Sequence, residues 1–116
     1  MNIEEIREFC LQLPKTQECL PFNEYTLVFK VYNKMFALLN LNTGNTINLK
    51  CNPEYAIELR EHYTSIIPGY HMNKKHWNTI YFEHIDSQLL KQLMYDSYNL
   101  VIAQLPQKKQ QINLDF

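Results

Sequence analysis

Residues 25–51, YTLVFKVYNKMFALLNLNTGNTINLKC, contain three runs of apolar, aromatic and β-branched side chains separated by two turn signals. Asn42-Thr43-Gly44-Asn45 supplies residues that tolerate a positive φ, and residues 32–34 turn the chain between the first two runs. Strands joined by such short turns pair antiparallel, so this stretch predicts an antiparallel meander. The predicted strands are residues 25–31, 35–41 and 46–51.

Helical periodicity lies on both sides of the meander. Apolar residues recur at helical spacing from Ile3 to Leu13, and Pro14 ends this first helix. Asn52-Pro53 is a helix start, because Asn is a good N-cap and Pro suits the first helical position. A third and longest helix begins at Asp86 or Ser87, and Pro106 ends its apolar stripe.

The remaining segments are shorter. Residues 15–24 read as irregular, residues 65–71 are broken by Pro68-Gly69, and residues 76–83 resemble a further strand. The order is therefore α-β-β-β-α-β(β)-α, which predicts an α+β two-layer domain with helices on one face of the sheet. We expect one domain over residues 1–106 and a polar tail over residues 107–116.

Composition excludes several classes of protein. The chain has 116 residues, a net charge of −1 and a pI of about 6.4, unlike the strongly basic nucleic-acid binders. No apolar run approaches the roughly 18 residues that cross a bilayer, so we expect no membrane association. Three cysteines without a CxxC pair predict no disulfide framework and a cytoplasmic location. The composition leaves the oligomeric state open.

The charges are nevertheless segregated along the chain. No Asp or Glu lies between Tyr25 and Pro53, and strand alternation places Lys30 and Lys50 together on the open face of the sheet. An acid-free face with lysines attracts phosphates. The alternative is that lysines on exposed strands only discourage edge-to-edge aggregation.

Residues 68–79, PGYHMNKKHWNT, are chemically the densest part of the sequence. Aromatic rings stack on bases, lysines meet phosphates and Asn amides read base edges, so this mixture suits nucleic acid. Tyr70 and Trp77 would stack, Lys74 and Lys75 would neutralise phosphates, and Asn73 and Asn78 would supply hydrogen bonds. Alternatively, Tyr70 and Trp77 anchor a loop to the core, and Lys74-Lys75 is a solvated turn.

This block resembles the signature of the MmcQ/YjbR family. Flanking segments resemble the same family in the same order, and they include the first hairpin, the third strand with the second helix, and the last helix. Those segments are Phe29-Lys30-Val31 with Lys34-Met35-Phe36-Ala37-Leu38, Asn48-Leu49-Lys50-Cys51 with Pro53 and Leu59-Arg60, and Ser97-Tyr98-Asn99-Leu100-Val101 with Leu105-Pro106.

The resemblance implies a fold like that of type III secretion chaperones, with a twisted antiparallel sheet packed on helices. Proteins of this family are described as DNA-binding, so the resemblance also implies weak DNA binding through the basic sheet face and the Lys74–Trp77 loop. The positions that it carries over are Lys30, Lys50, His71, Asn73, Lys74, Lys75, His76, Trp77 and Asn78. Tyr70 joins them as a stacking residue from the composition of the block itself.

Other chemistry finds little support in the sequence. His71, His76, His84 and Cys51 match no compact zinc spacing, and no cysteine has a motif that assigns a thiolate, so we expect neither a metal, a cofactor nor catalysis. Two alternatives to DNA binding stay open. One is a protein-interaction or chaperone-like module that binds a partner chain on the open sheet. The other is a small-molecule binder with a pocket near Trp77.

Overall fold

The computed structural model describes residues 1–106, and the tail predicted over residues 107–116 lies outside them. Within residues 1–106 the secondary structure consists of three α-helices, six strands and one short 3-10 helix. The helices are α1 (Ile3–Gln12), α2 (Pro53–His62) and α3 (Ser87–Ala103), and the 3-10 helix is Phe82–His84. The strands are β1 (Thr16–Cys19), β2 (Thr26–Val31), β3 (Lys34–Asn40), β4 (Thr46–Lys50), β5 (Ile66–Pro68) and β6 (Trp77–Tyr81).

All six strands form one antiparallel sheet in the order β1-β2-β3-β4-β6-β5. The three helices pack against one face of this sheet, and α3 contacts the central strands β2, β3 and β4. This arrangement confirms the predicted α+β fold and the antiparallel meander. No helix within residues 1–106 is long and apolar enough to span a membrane.

One strand was not predicted from the sequence. The segment at residues 15–24, which reads as irregular, contains β1, and β1 pairs with β2 from Thr16 opposite Val31 to Cys19 opposite Val28. The strand is four residues long and has no apolar alternation, so its conformation depends on the pairing with β2 and not on a local signal. The ion pair between Arg7 and Glu18 connects this edge strand to α1.

Local sequence signals account for the helix starts and the hairpins. The side chains of Asn2, Asn52 and Asp86 cap the three helices by accepting hydrogen bonds from backbone N–H groups of the first turn. Between β2 and β3, Tyr32 and Asn33 both have a positive φ (47° and 64°), as a two-residue hairpin of type I′ requires. The predicted caps and turns are therefore confirmed.

Helix α3 is hydrogen-bonded to β3 and β4 beside a β-bulge in β3. Phe29 pairs with Ala37 and Lys30 pairs with Met35, so β3 carries Phe36 as an extra residue, and Phe36 and Ala37 both join the core beneath the helices. The buried Ser97 hydroxyl of α3 donates to the Phe36 carbonyl (2.5 Å) and accepts from the Lys50 N–H (2.8 Å). One side chain thus satisfies backbone groups of two neighbouring strands.

Candidate nucleic-acid interface

The face of the sheet opposite the helices forms a concave cleft of about 960 Å³. Its floor is built by strands β2 to β6. The loops at residues 20–25, 41–45 and 69–76, which connect β1 to β2, β3 to β4 and β5 to β6, form its walls. The lining residues are Phe22, Asn23, Tyr25, Thr26, Met35, Leu38, Asn40, Thr43, Asn45, Thr46, Asn48, Ile67, Tyr70, His71, Met72, Asn73, Thr79 and Tyr81.

The lining of this cleft is uncharged but not apolar. No Asp, Glu, Lys or Arg belongs to the part of it that residues 1–106 contribute, whereas Asn and Thr side chains make up half of it. Four aromatic side chains of the lining have large exposed fractions: Phe22 63%, Tyr25 45%, Tyr70 67% and Tyr81 38%. Flat rings and neutral amides suit a ligand that is itself flat and polar.

A short chain of hydrogen bonds crosses the cleft floor. The Tyr70 N–H donates to Thr79 Oγ1 (2.9 Å), and the Thr79 hydroxyl donates to Asn48 Oδ1 (2.5 Å) on the neighbouring strand, where Asn48 and Thr79 are register partners. In this arrangement the Asn48 oxygen is engaged, and its amide nitrogen has no partner within residues 1–106. The chain of hydrogen bonds also holds the loop at residues 69–76 against the floor.

Trp77 anchors this loop instead of offering a stacking surface. It is 8% exposed and packs with Val28 and Leu38 in a small apolar cluster on the cleft side of the sheet, to which Met35 and Met72 add. The expectation of a free Trp77 ring is therefore wrong, and the alternative that Trp77 fastens the loop is correct. With this exposure and these neighbours, the Trp77 ring offers no open face to a base.

The close packing of the loop against Trp77 requires a glycine at position 69. The Gly69 N–H donates to the Trp77 carbonyl (2.8 Å), and a Cβ at Gly69 would lie 2.8 Å from the Trp77 Cβ. Only a residue without a side chain fits this approach of the loop to the start of β6.

Asn78 is buried on the helical side, so the expectation that its amide is free to contact bases is also wrong. It is 1% exposed; its oxygen accepts from Arg60 Nη1 (3.2 Å), and its Nδ2 donates to the Ala56 carbonyl (3.4 Å). Arg60 also donates to the Lys74 carbonyl (3.0 Å). Asn78 and Arg60 together hold α2, β6 and the loop in one arrangement.

The predicted lysines divide into two groups. Lys74 and Lys75 are exposed and directly follow Asn73 of the lining, and Lys30 is half-exposed and pairs with Met35 of the lining. None of these three amines has a hydrogen-bond or ion-pair partner within residues 1–106. They adjoin lining residues in sequence or in strand register but do not line the cleft themselves, and we call these three residues the lysine rim.

Lys50 does not join this rim. Its amine donates to Gln104 Oε1 (3.0 Å) at the end of α3, and partial burial together with nearby Lys34 lowers the pKa of Lys50. The expectation that Lys50 presents a free amine beside Lys30 is therefore wrong. Alternation along β4 indicates only which face a side chain occupies, so it could not predict this contact with the end of α3.

The remaining predicted residues lie at or beside the cleft. Tyr70 and His71 are exposed and line it, with their ring centroids 4.0 Å apart, and His71 has a φ of 59° in the left-handed region. Asn73 lines the cleft while its Oδ1 accepts from the Lys75 N–H (3.0 Å). His76 is half-buried before β6.

Several lining residues were not predicted as site residues. Strand alternation could have identified Asn48 and Thr79. Asn48 lies on the same face of β4 as Lys50, and Thr79 lies on the same face of β6 as Trp77. Phe22 had no comparable signal, because residues 15–24 read as irregular. Tyr25 began the predicted strand 25–31, and alternation assigned it to the face opposite Lys30.

The thiols and the metal-ligating side chains do not form a reactive centre in the part of the chain that the structure describes. Within residues 1–106 no three His, Cys, Asp or Glu side chains are grouped closely enough to hold a metal ion. Burial raises the pKa of Cys10 to about 12 and that of Cys51 to about 11, so neither thiol readily forms the nucleophilic thiolate.

Comparisons with known proteins agree with the family resemblance in the sequence. The chain is 41% identical over 109 residues to the uncharacterised protein YbdF of Escherichia coli O157:H7, covering 92% of this chain and 89% of YbdF. It is 29% identical over 115 residues to the uncharacterised protein YjbR of Escherichia coli K12, covering 97% of both chains.

Solved structures agree with the fold. The crystal structure of Deinococcus radiodurans protein DR2400, with a DUF419 domain, superimposes with a TM-score of 0.88 at 37% identity, over 95% of this chain and 86% of that one. A Pseudomonas syringae crystal structure superimposes with a TM-score of 0.72 at 27% identity, over 86% of this chain and 98% of that one. A sequence model of the YjbR family matches residues 11–100, and the chain therefore belongs to the YjbR family.

Proposed function

We propose that this protein binds single-stranded DNA, with unstacked bases in the cleft and phosphates at the lysine rim. The observation that carries the proposal is the separation of two surfaces. The interior consists of neutral amides and aromatic rings, and outside it lie the amines of Lys30, Lys74 and Lys75, which have no partner within residues 1–106. Single-strand binding proteins combine these two features, since rings stack on bases while cations follow the backbone.

The cleft favours a single strand over a duplex. Bases of a duplex are stacked on one another and cannot place their faces against Phe22, Tyr25 or Tyr70, whereas an unpaired base can enter. The absence of carboxylates from the lining that residues 1–106 supply removes repulsion of the phosphates next to each base.

The charges also limit the affinity. The net charge is −1, and Lys30, Lys74 and Lys75 are the three lysines that we propose to contact the phosphates. We therefore expect dissociation constants of about 10⁻⁴–10⁻⁶ M, the range of non-specific DNA binding. A slope of about −0.7 per neutralised phosphate predicts about 20-fold weaker binding between about 50 and 200 mM salt for three contacts.

Fluorescence anisotropy of labelled DNA tests the proposal at these two salt concentrations, with single-stranded and duplex forms of one sequence. Lys74→Glu/Lys75→Glu is expected to bind more weakly on all sequences and to flatten the salt dependence to about threefold. Lys15→Glu/Lys91→Glu changes the net charge equally but outside the cleft, and we expect it to bind more like the wild type.

Two results would contradict the proposal. One is no binding of single-stranded DNA at low salt up to about 100 μM protein, which is weaker than most non-specific binders. The other is an equal loss of affinity in both charge-reversal variants, since that result would place the contact away from the rim.

A protein partner is the second candidate, and the amides of the cleft are the observation that favours it. An extended peptide presents backbone carbonyls at regular spacing, and Asn48 together with Asn73 offers N–H groups to such acceptors. Absence of DNA binding would turn the search to this candidate. In both cases we propose binding and not catalysis, in keeping with the raised pKa values of Cys10 and Cys51.

A further inference from the structure

The exposed aromatic residues of the cleft lie on two sides of the sheet. Phe22 and Tyr25 belong to the loop before β2, and Tyr25 directly precedes the first residue of that strand. Tyr70 belongs to the loop before β6, and its N–H donates to Thr79 Oγ1 of β6 (2.9 Å). Tyr81 is the last residue of β6. We call Phe22 with Tyr25 the β2 aromatic pair, and Tyr70 with Tyr81 the β6 aromatic pair.

The strands that carry the two pairs are not neighbours. Strands β3 and β4 lie between β2 and β6, which makes three inter-strand spacings of about 4.8 Å each, or about 14 Å. Within residues 1–106 no ring of one pair contacts a ring of the other. A base that stacks on one pair therefore leaves the other pair free.

The lysine rim is divided in the same way. Lys30 lies on β2, and Lys74 and Lys75 lie in the loop before β6, so each aromatic pair has a cation on its own side of the sheet. Between the two sides the floor presents Thr46 and Asn48 of β4, which are neutral and can hydrogen-bond to a base or a sugar. A strand that crosses the sheet from β2 to β6 thus meets rings and cations at both ends of its path.

We infer that the cleft binds one strand at two points, with one base on each aromatic pair, an inference that rests on the proposed binding of single strands. Stacked nucleotides rise by about 3.4 Å each, so about four of them cover about 14 Å. The ligand is therefore an oligonucleotide of about four nucleotides or more, and a dinucleotide reaches only one pair at a time. Once the first base is bound, the second contact is intramolecular, so bridging raises the affinity above that of either contact alone.

The test compares oligo(dT) of about eight nucleotides, which can bridge the pairs, with the thymidine dinucleotide, which cannot. One variant of each pair, Phe22→Ala/Tyr25→Ala and Tyr70→Ala/Tyr81→Ala, removes two exposed rings. Anisotropy measures the affinity for the longer strand, and amide chemical shifts of ¹⁵N-labelled protein measure the weaker binding of the dinucleotide. Leu in place of Ala at the same positions keeps the apolar contacts and removes the flat rings, so it gives the same comparison if an alanine variant is destabilised.

The two ligands are expected to respond differently. For the longer strand we expect each variant to bind at least about fivefold more weakly, as for the loss of one stacked base. For the dinucleotide the two contacts are alternatives, and their association constants add, so at least one variant must keep about half of the wild-type affinity or more. Tyr55→Ala/Ile57→Ala removes two exposed apolar side chains of α2, outside the cleft lining, and is expected to bind both ligands like the wild type.

Three results would overturn the two-point contact while binding of single strands stands. The first is a fivefold loss for the dinucleotide in both variants, since one base would then contact both pairs. The second is a loss for the longer strand in only one variant or in neither, since the strand would then not bridge the pairs. The third is a dinucleotide that binds as tightly as the longer strand. If the wild type binds neither ligand, the proposed function fails together with this inference.

Discussion

Thr79 donates a 2.5 Å hydrogen bond to Asn48 across the strand pair β6–β4, and it accepts one from the Tyr70 N–H. Through this hydroxyl, the floor of the cleft and the loop at residues 69–76 are ordered together. The Asn48 side chain, which we expect to contact bases, is therefore held in place by a residue that is itself almost fully buried.

Thr79→Val removes the hydroxyl and keeps the shape of the side chain. We expect binding of oligo(dT) to weaken about fivefold, as for the loss of one hydrogen bond of about 1 kcal/mol, because the Asn48 amide is no longer held. Thr79→Ser retains the hydroxyl and is expected to bind like the wild type. Anisotropy measures both variants, and wild-type affinity in Thr79→Val would contradict the assigned role.

Ser97→Ala tests the bridge between α3 and the two central strands. The substitution leaves the Phe36 carbonyl and the Lys50 N–H without their partner in a buried position. We expect the free energy of unfolding in urea to fall by about 1–3 kcal/mol. Ser87→Ala, at an exposed position of the same helix, is expected to change it by less than about 0.5 kcal/mol. Equal effects of the two substitutions would contradict the bridge.

Gly69→Ala places a methyl group 2.8 Å from the Trp77 Cβ and 2.9 Å from its carbonyl oxygen. Either the loop or Trp77 must move, and we expect a loss of stability of about 1–3 kcal/mol. Trp77 is the only tryptophan of the chain, so exposure of its ring appears as a red shift of the fluorescence emission. Tyr70→Phe, at an exposed position of the same loop, serves as the control. Unchanged emission and stability in Gly69→Ala would contradict the close packing.

Thiol reactivity tests the burial of the cysteines. Burial raises the pKa of Cys10 to about 12 and of Cys51 to about 11, so both thiols stay protonated in the folded protein at about pH 8. We expect a thiol-specific reagent to label only the half-buried Cys19 quickly, and the other two after unfolding in urea. Cys19→Ser is expected to abolish the fast phase. Fast labelling of Cys10 or Cys51 in the folded protein would contradict the assigned burial.

Elements with local signals could be predicted from the sequence. Several of these signals act only on their immediate neighbours: the helix caps Asn52 and Asp86, the helix breaker Pro14 and the positive-φ turn at Gly44. The helices and the central hairpins could therefore be predicted from the sequence. Strand β1 could not be predicted in this way, because its four residues show no apolar alternation and become a strand only by pairing with β2.

The candidate site was predicted less completely, for the same reason. The segment and several of its residues were identified, but the contacts that bury Trp77 and Asn78 come from other parts of the chain. Val28 and Leu38 of the central strands cover Trp77, and Arg60 of α2 binds Asn78. No pattern within residues 68–79 could have predicted these partners.

The most direct test of DNA binding at the cleft is a titration of ¹⁵N-labelled protein with oligo(dT), followed by amide chemical shifts at about 50 mM salt. The proposal predicts shifts of the Asn48 side-chain amide and of the Tyr70 and Asn73 backbone amides, while the exposed face of α3 stays unchanged. Shifts confined to the helices, or none at saturating oligonucleotide, would contradict binding at the cleft.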